Sequence, residues 1–334
     1  MKYRVLGRTG LQVSEIGLGG VFVSSIGAER DEGIRAVRRA ADLGINYFDT
    51  APAYANSEEV LGEALKGSKF PFVLSTKIGG RPLPFDPQNK DALLRSVEQS
   101  LQFLGRSCID ILMIHEPDRP GMWNWYPDWE HFHGPVTELL SELKAQKLVR
   151  FTGLGGTTAY TLPRIMATGE YDVVLTAFNY SLLWQEALIS IFPEARKQKM
   201  GVIIGSPLQQ GALATVYTDE IDHGALWLSP PRREQYRRLY DFLKNIDIPL
   251  TELCLRFCLT GTEVSSVLTG ARSAKEVEEN VAAVARGPLP EEIMRSIQEI
   301  ASIVPFRPFE EPFILPFRKP YRGPGAHNYS YAAK

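Results

Sequence analysis

Four residues of this chain have types that together make an acid–base device: Asp49, Tyr54, Lys77 and His115, carried in FDTAPAY, LSTK and LMIHEP. Each alone has an ordinary explanation. An aspartate caps a helix or joins an ion pair, a lysine is solvated, a histidine after an apolar run is a satisfied core residue, and a loop tyrosine packs. Together they fit one task. A phenol titrates near 10, roughly three units too high to release a proton readily at neutral pH. A Lys77 ammonium beside Tyr54 would stabilise the phenolate and lower that value. At about 4 Å and an effective dielectric near 20 the attraction is roughly 4 kcal/mol before screening. Asp49 would keep Lys77 charged and in place, and His115 would hydrogen-bond a substrate oxygen and aim it at Tyr54. Such a device suits protonating a carbonyl oxygen while hydride reaches the carbon.

These residues meet only if three separate segments end at one corner. Short β-rich runs, each followed by an amphipathic stretch, predict strands over 15–20, 46–50, 72–77, 110–115, 149–155, 172–179, 201–207 and 264–269. Helices are expected over 31–43, 57–66, 89–104, 135–146, 158–168, 186–199, 231–245, 249–259 and 274–285. Continuous apolar strands such as DILMIH are buried on both faces, which implies a parallel sheet. Eight βα units predict an α/β fold of the (β/α)8 TIM-barrel class. A doubly wound sheet competes, but it needs a glycine-rich turn leading directly into a helix. After Gly17, Gly19 and Gly20 the chain runs VFVSS instead. In a barrel, catalytic groups sit at the C-terminal ends of strands, where Asp49, Lys77 and His115 lie on three consecutive strands, with Tyr54 in the loop after the first. The whole chain, 1–334, reads as one barrel domain. Residues 3–14 form a β-hairpin on the barrel floor, 15–286 the barrel, and 287–334 a further helix (290–303) and an extended Pro- and aromatic-rich tail. That tail is either a wrapping segment or a flap over the site.

Composition narrows the function. A formal net charge of −2 leaves no basic footprint for nucleic acid or an anionic membrane. No apolar segment follows MKYRVLGRTG as a secretory signal would require, and no apolar run reaches the roughly 18–20 residues of a membrane span. The sparse, odd cysteine set, Cys108, Cys254 and Cys258, fits a reducing cytoplasm. Cys254 and Cys258 read as buried thiols rather than half of a metal site, and His131 and His133 lack a carboxylate cluster, so no metal is expected.

With those motifs in place, the chain resembles the aldo-keto reductase family to about residue 300. FDTAPAY with Lys77 and His115 is similar to that family's Asp–Tyr–Lys–His tetrad in identity, order and spacing. GLGG after the hairpin, DILMIHEPD, SPLQQGAL and VSSVLTGARSAKEVEENVAAV also match in order. The last stretch looks most like the branch holding L-galactose and D-threo-aldose 1-dehydrogenases. The resemblance implies a barrel that binds NAD(P)H in extended form, and an oxidoreductase interconverting a carbonyl and an alcohol, on a sugar or sugar-derived aldehyde or ketone.

The resemblance also places the cofactor. Gly205, Ser206, Pro207 and Leu208 would pass along the pyrophosphate, where small residues allow close backbone approach. Gly270, Arg272 and Ser273 precede the last barrel helix, where amides bind phosphate and Arg272 could pair with a 2′-phosphate. Ser273 and Glu276 equally read as a capping box. Glu279 and Asn280 match positions near the adenine. Four positions depart from the pattern: Gly155-Gly156 stand where many relatives have Ser-Asn, Gly205 where many have an aromatic, and Glu276 where many have an arginine. Asn179 or Thr157 could replace the missing nicotinamide clamp. Glu276 repels a 2′-phosphate and Arg272 attracts one, so NADP(H) is favoured over NAD(H). On the substrate side, MWNWYPDWEHF after the fourth strand reads as a hydrophobic plug or as a substrate wall. In the second reading Trp123 and Trp125 join Phe22, Tyr54 and His115, while Asn124, Asp128 and Glu130 meet hydroxyls. Two other functions stay open: a Schiff-base aldolase using Lys77, and a non-catalytic NADPH-binding regulatory subunit. The expected partner is a small molecule, with neither nucleic acid nor membrane, and with self-association through the C-terminal tail as an option.

Overall fold

Alternation along each strand decides which side chains enter the barrel. In the computed structural model, which describes residues 1–81, 83–224, 227–308, 311–312 and 314–318, eight parallel strands close on themselves. A short antiparallel hairpin, β1 (Tyr3–Val5) and β2 (Gln12–Ser14), precedes them. The barrel strands are β3 (Ile16–Gly19), β4 (Tyr47–Asp49), β5 (Val73–Ile78), β6 (Ile109–His115), β7 (Val149–Gly156), β8 (Val173–Ala177), β9 (Gly201–Gly205) and β10 (Ser266–Gly270), with β10 pairing both β9 and β3. The helices are α1 (Arg30–Asp42), α2 (Ser57–Leu65), α3 (Lys90–Leu104), α4 (Pro135–Ala145), α5 (Leu162–Met166), α6 (Ile191–Gln198), α7 (Thr218–Asp222), α8 (Pro230–Leu243), α9 (Leu250–Thr260), α10 (Ala274–Ala285) and α11 (Glu291–Ala301). The expected barrel is present, strand for strand.

Two differences are local. The helix expected over 186–199 splits into a 3-10 turn, Glu186–Leu188, and α6. Pro193 lacks an amide hydrogen and suits only a first helical turn, so the α-helix starts at Ile191. The short α7 forms between 207 and 231, where no helix was expected.

Two apolar layers result. The larger lies between strands and helices, and a smaller one fills the barrel, with Tyr47, Val73, Ile111, Met113, Val173, Leu175, Ile203 and Leu268 inside. Leu6 and Val13 from the hairpin join that inner layer and seal the floor. Gly7 makes this docking feasible: its φ is +49°, and a Cβ there would lie 2.1 Å from the Gly201 nitrogen.

Candidate active site

The inward positions continue upward from this inner core. Ile111 and Met113 face inside, so His115 is the next inward residue of β6. Lys77 is paired in register with Met113, Gly155 with His115 and with Leu175, Ala177 with Gly205, Gly19 with both Asp49 and Gly270. Parallel neighbours in register point the same way. The last inward residue is therefore Asp49, Lys77 or His115 on β4, β5 and β6, and glycine or alanine on β7, β8, β9, β10 and β3. One half of the mouth carries charge and the other carries almost no side chain.

On the charged half, Lys77 Nζ donates to Asp49 Oδ2 at 2.7 Å and to the Thr50 carbonyl at 2.8 Å. Ser75 Oγ donates to the other carboxylate oxygen at 2.7 Å, and Tyr47 OH lies 2.8 Å from Ser75 Oγ. Lys77 and Asp49 are each about 2% exposed, so neither charge is diluted by solvent. The ammonium sits 5.0 Å from the centre of the Tyr54 ring, and that ring meets His115 edge-on at 5.6 Å. The four residues expected to act together do converge.

Their titration differs from expectation. Burial first, then the charges of Asp49 and Glu116, holds the Tyr54 phenol well above its ordinary range. Lys77 was expected to lower it. Instead Lys77 is bound to Asp49, and burial with the two carboxylate charges outweighs it at the phenol. Tyr54 therefore keeps its proton. Burial and the Lys77 charge hold His115 well below the usual imidazole range, so it is neutral at physiological pH. Its Nδ1 is buried without a hydrogen-bond partner among the described residues.

The aromatic loop after β6 divides into plug and wall. Trp125 and Tyr126 are fully buried, and Trp125 Nε1 donates to the His115 carbonyl at 3.0 Å. Trp125 thus backs the site and does not face it, a correction to its place on the expected wall. Trp123 is half-buried, with its ring 5.8 Å from His115 and 5.7 Å from Phe85. Asp128 is spent inside the loop, accepting from the Glu130 and His131 amides and pairing with the His131 ring, and Asn124 Oδ1 accepts from Trp129. Phe22 lies across the mouth, over Gly270.

Two acids that sequence reasoning passed over stand beside the tetrad. Asp118 Oδ2 accepts from Thr157 N (2.9 Å), Thr158 N (2.5 Å) and Thr158 Oγ1 (2.6 Å), pinning the end of β7 to the β6 loop. Glu116 has φ +48°, and burial pushes its carboxyl up to about 7. Their signal in the sequence was only two acids following a strand-end histidine.

On the side-chain-poor half the glycines let neighbouring groups pack closely. A Cβ on Gly205 would sit 3.1 Å from Leu175 Cδ2, one on Gly155 would sit 3.3 Å from Lys77 Cε, and one on Gly270 would press on the Phe22 ring at 2.6 Å. Buried Thr157 Oγ1 and Asp118 Oδ1 have no hydrogen-bond partner among the described residues. Asn179 is buried, and its amide donates to Thr176 Oγ1 at 2.9 Å, which leaves Thr157 the less committed of the two suggested clamps. After β9, Ser206, Gln209 and Gln210 all have φ near +50° (53°, 50° and 54°), and Pro207 and Leu208 lie between them. Such backbone is uncommon outside glycine and concentrates at functional loops. Ser273 caps α10 by accepting from the Glu276 amide at 3.3 Å. The return arm of the expected capping box is diverted: the Glu276 carboxylate accepts from the Arg272 amide at 2.8 Å and from its guanidinium at 2.7 Å. Asn280 donates weakly to the Gly270 carbonyl at 3.4 Å, and Glu279 is exposed on α10.

The described part of the tail packs over the loops on this same half. Glu311 accepts from Arg232 Nε at 2.7 Å and Trp184 Nε1 at 2.8 Å, with Arg232 wholly buried. Phe317 stacks on Tyr217 at 4.7 Å. The tail wraps; the rest of it, 319–334, lies outside the described residues.

Comparisons with known proteins agree with this geometry. A profile of the Aldo/keto reductase family matches residues 15–302. L-galactose dehydrogenase of Arabidopsis thaliana is 32% identical over 295 residues, covering 85% of this chain and 88% of that protein. Pyridoxal 4-dehydrogenase of Microbacterium luteolum is 30% identical, covering 83% and 91%. An aldo-keto reductase from Bacillus halodurans, in its holo form, superposes with a TM-score of 0.72 at 28% identity, covering 90% of this chain and 96% of that one.

Proposed function

Because the chain belongs to the aldo/keto reductase family and is an NAD(P)H-dependent oxidoreductase of carbonyl and alcohol groups, we propose that it acts on a sugar or sugar-derived aldehyde or ketone at the corner of Asp49, Tyr54, Lys77 and His115. The observation that carries this reading is the convergence of a protonated phenol, a neutral imidazole and a buried ammonium–carboxylate pair at one edge of the mouth. When bound, the nicotinamide supplies or accepts the hydride. Tyr54 gives its proton to the substrate oxygen as negative charge develops there, and takes it back in the reverse direction. A phenol held above its ordinary range does this only when the oxygen becomes strongly basic, which ties proton transfer to the bond change. Neutral His115 orients that oxygen by hydrogen bonding. Lys77 fixes the local field, and Asp49 with the Thr50 carbonyl fixes Lys77. Trp123 offers an aromatic face to the C–H side of a sugar.

Gly155, Gly156 and Thr157 would hold the nicotinamide end, Gly205 to Leu208 the pyrophosphate, and Gly270, Arg272, Ser273, Glu279 and Asn280 the adenosine end. The expected preference for NADP(H) over NAD(H) rests on Arg272. Its guanidinium is bound to Glu276, so a 2′-phosphate must compete with a carboxylate for it. The preference is therefore weak. Three free thiols are in keeping with a reducing compartment, and no helix among the described residues is long and apolar enough to cross a membrane. We retain a cytoplasmic setting and self-association through the tail, where Phe306 is 54% exposed, as parts of the proposal. Fractionation and solution mass test these two.

The deciding experiment follows oxidation of NADPH and NADH against aldoses, keto-sugars and simple aldehydes, and the reverse reaction with the sugar alcohols and lactols. Turnover on the sugar panel is the expected result. Substrate trapped on Lys77 by borohydride would establish the aldolase alternative instead, and tight NADPH binding with no turnover on any carbonyl would establish the regulatory one.

A further inference from the structure

Glu116 has no role in the chemistry so far. It follows His115 directly, yet its φ of +48° turns it out of the β6 direction, and its amide donates to the Gly155 carbonyl at 2.7 Å, which fixes the turn. The side chain is only 10% exposed. Its Oε2 has no hydrogen-bond partner among the described residues. The Arg119 guanidinium stands 3.6 Å from it, at ion-pair rather than hydrogen-bond distance. The carboxyl shares the tetrad's corner: its charge acts on Tyr54, and the charge of Lys77 acts on it. A buried acceptor with an unused lone pair beside the proton donor calls for a ligand that donates. Lys77 nearby disfavours a cationic donor, which leaves a neutral hydroxyl. Vicinal oxygens are near neighbours, so one oxygen can meet Tyr54 while the next meets the residue beside it.

We propose that Glu116 selects carbonyl substrates with a hydroxyl on the carbon next to the reacting one, by accepting a hydrogen bond from that hydroxyl. This inference rests on the carbonyl–alcohol reading of the tetrad and narrows its substrate to α-hydroxy aldehydes and ketones. An ionised acceptor binds a hydroxyl more strongly than a protonated one. Glu116 titrates near 7, so selection strengthens as pH rises through neutrality. The charged and titratable groups that act on it or feel its charge are Arg119, Asp118, Lys77 and Tyr54. Asp118 has one oxygen committed to Thr157 and Thr158.

The test compares lactaldehyde with propionaldehyde, which differ by the α-hydroxyl alone, and uses 3-hydroxypropanal as the misplaced-hydroxyl control. In the natural protein at pH 8, kcat/KM for lactaldehyde should exceed that for the other two by about 10- to 100-fold. The ratio should fall several-fold at pH 6. Glu116→Leu should bring it to about 1, mainly through the KM for lactaldehyde, and Glu116→Gln should keep a small part of it. An unchanged ratio in Glu116→Leu, or a natural ratio flat from pH 6 to 8, overturns the proposal. Quenching of protein fluorescence by NADPH reports whether the leucine variant folds; if it does not, the glutamine variant and the pH dependence decide. Failure of the parent reading looks different: no aldehyde is reduced although NADPH still quenches.

Discussion

The two halves of the barrel mouth solve opposite problems with the same strand geometry. On β4, β5 and β6 the last inward residues are Asp49, Lys77 and His115, all buried, with Asp49 and Lys77 joined by a short hydrogen bond. On β7, β9, β10 and β3 they are Gly155, Gly205, Gly270 and Gly19. The charged half stores cost: buried ions tolerate no loss of a partner. The glycine half carries almost no side chain, so in the proposed reading its backbone meets the coenzyme. Reactivity should therefore fail through single atoms on one half and through added bulk on the other.

Five substitutions test that division. Tyr54→Phe should lower kcat by about 10²- to 10⁴-fold while coenzyme affinity, read by fluorescence titration, stays within about two-fold of the natural protein's. Because the phenol is held above its ordinary range, the natural kcat for reduction should show no tyrosine limb between about pH 6 and 9. A large coenzyme effect would mean the halves are not separable. Lys77→Met leaves Asp49 as a buried unpaired anion and should cost about 3–5 kcal/mol in chemical denaturation. The double change Asp49→Asn with Lys77→Met should recover most of that stability and none of the activity; recovered activity would remove Lys77 from the device. On the other half, Gly205→Val should raise the coenzyme Kd about 10-fold or more by filling the cradle, with a smaller fall in kcat. Equal binding by glycine and valine forms would place the coenzyme elsewhere. The smallest effect should come from Glu276→Gln, which releases Arg272 and should raise the NADPH-to-NADH ratio of kcat/KM by about 3- to 10-fold. A lowered ratio would show that Arg272 does not read the 2′-phosphate.

Much of this was legible in the sequence because strand periodicity is a short-range signal. Once Ile111 and Met113 are inward, His115 must be, and the same counting places Lys77 after Ser75. What sequence alone left hidden depends on who stands next to whom. The type of Trp125 marked it as a good sugar platform, but its indole is needed under the His115 carbonyl. Arg272 and Glu276 were weighed as separate charges and turn out to be partners. Lys77 was credited with lowering the Tyr54 pKa, a role that Asp49 cancels and burial reverses. Glu116 follows a strand-end histidine and looked like one more loop acid; only its left-handed turn and buried carboxyl mark it out.

The floor plug has a consequence for how the chain is made. Leu6 and Gly7 lie far ahead of β9 in the chain, yet they dock on Gly201, and the Arg8 guanidinium finds its carboxylate at Asp172. Strand β3 likewise waits for β10 to close the ring. Contacts of such long sequence separation form late. The emerging polypeptide must keep Leu6 and Gly7 uncommitted until β9 is made, and a chain stalled before residue 201 has no seat for them. Ribosome-stalled fragments ending before and after β9 should therefore differ sharply in protease resistance at the amino terminus.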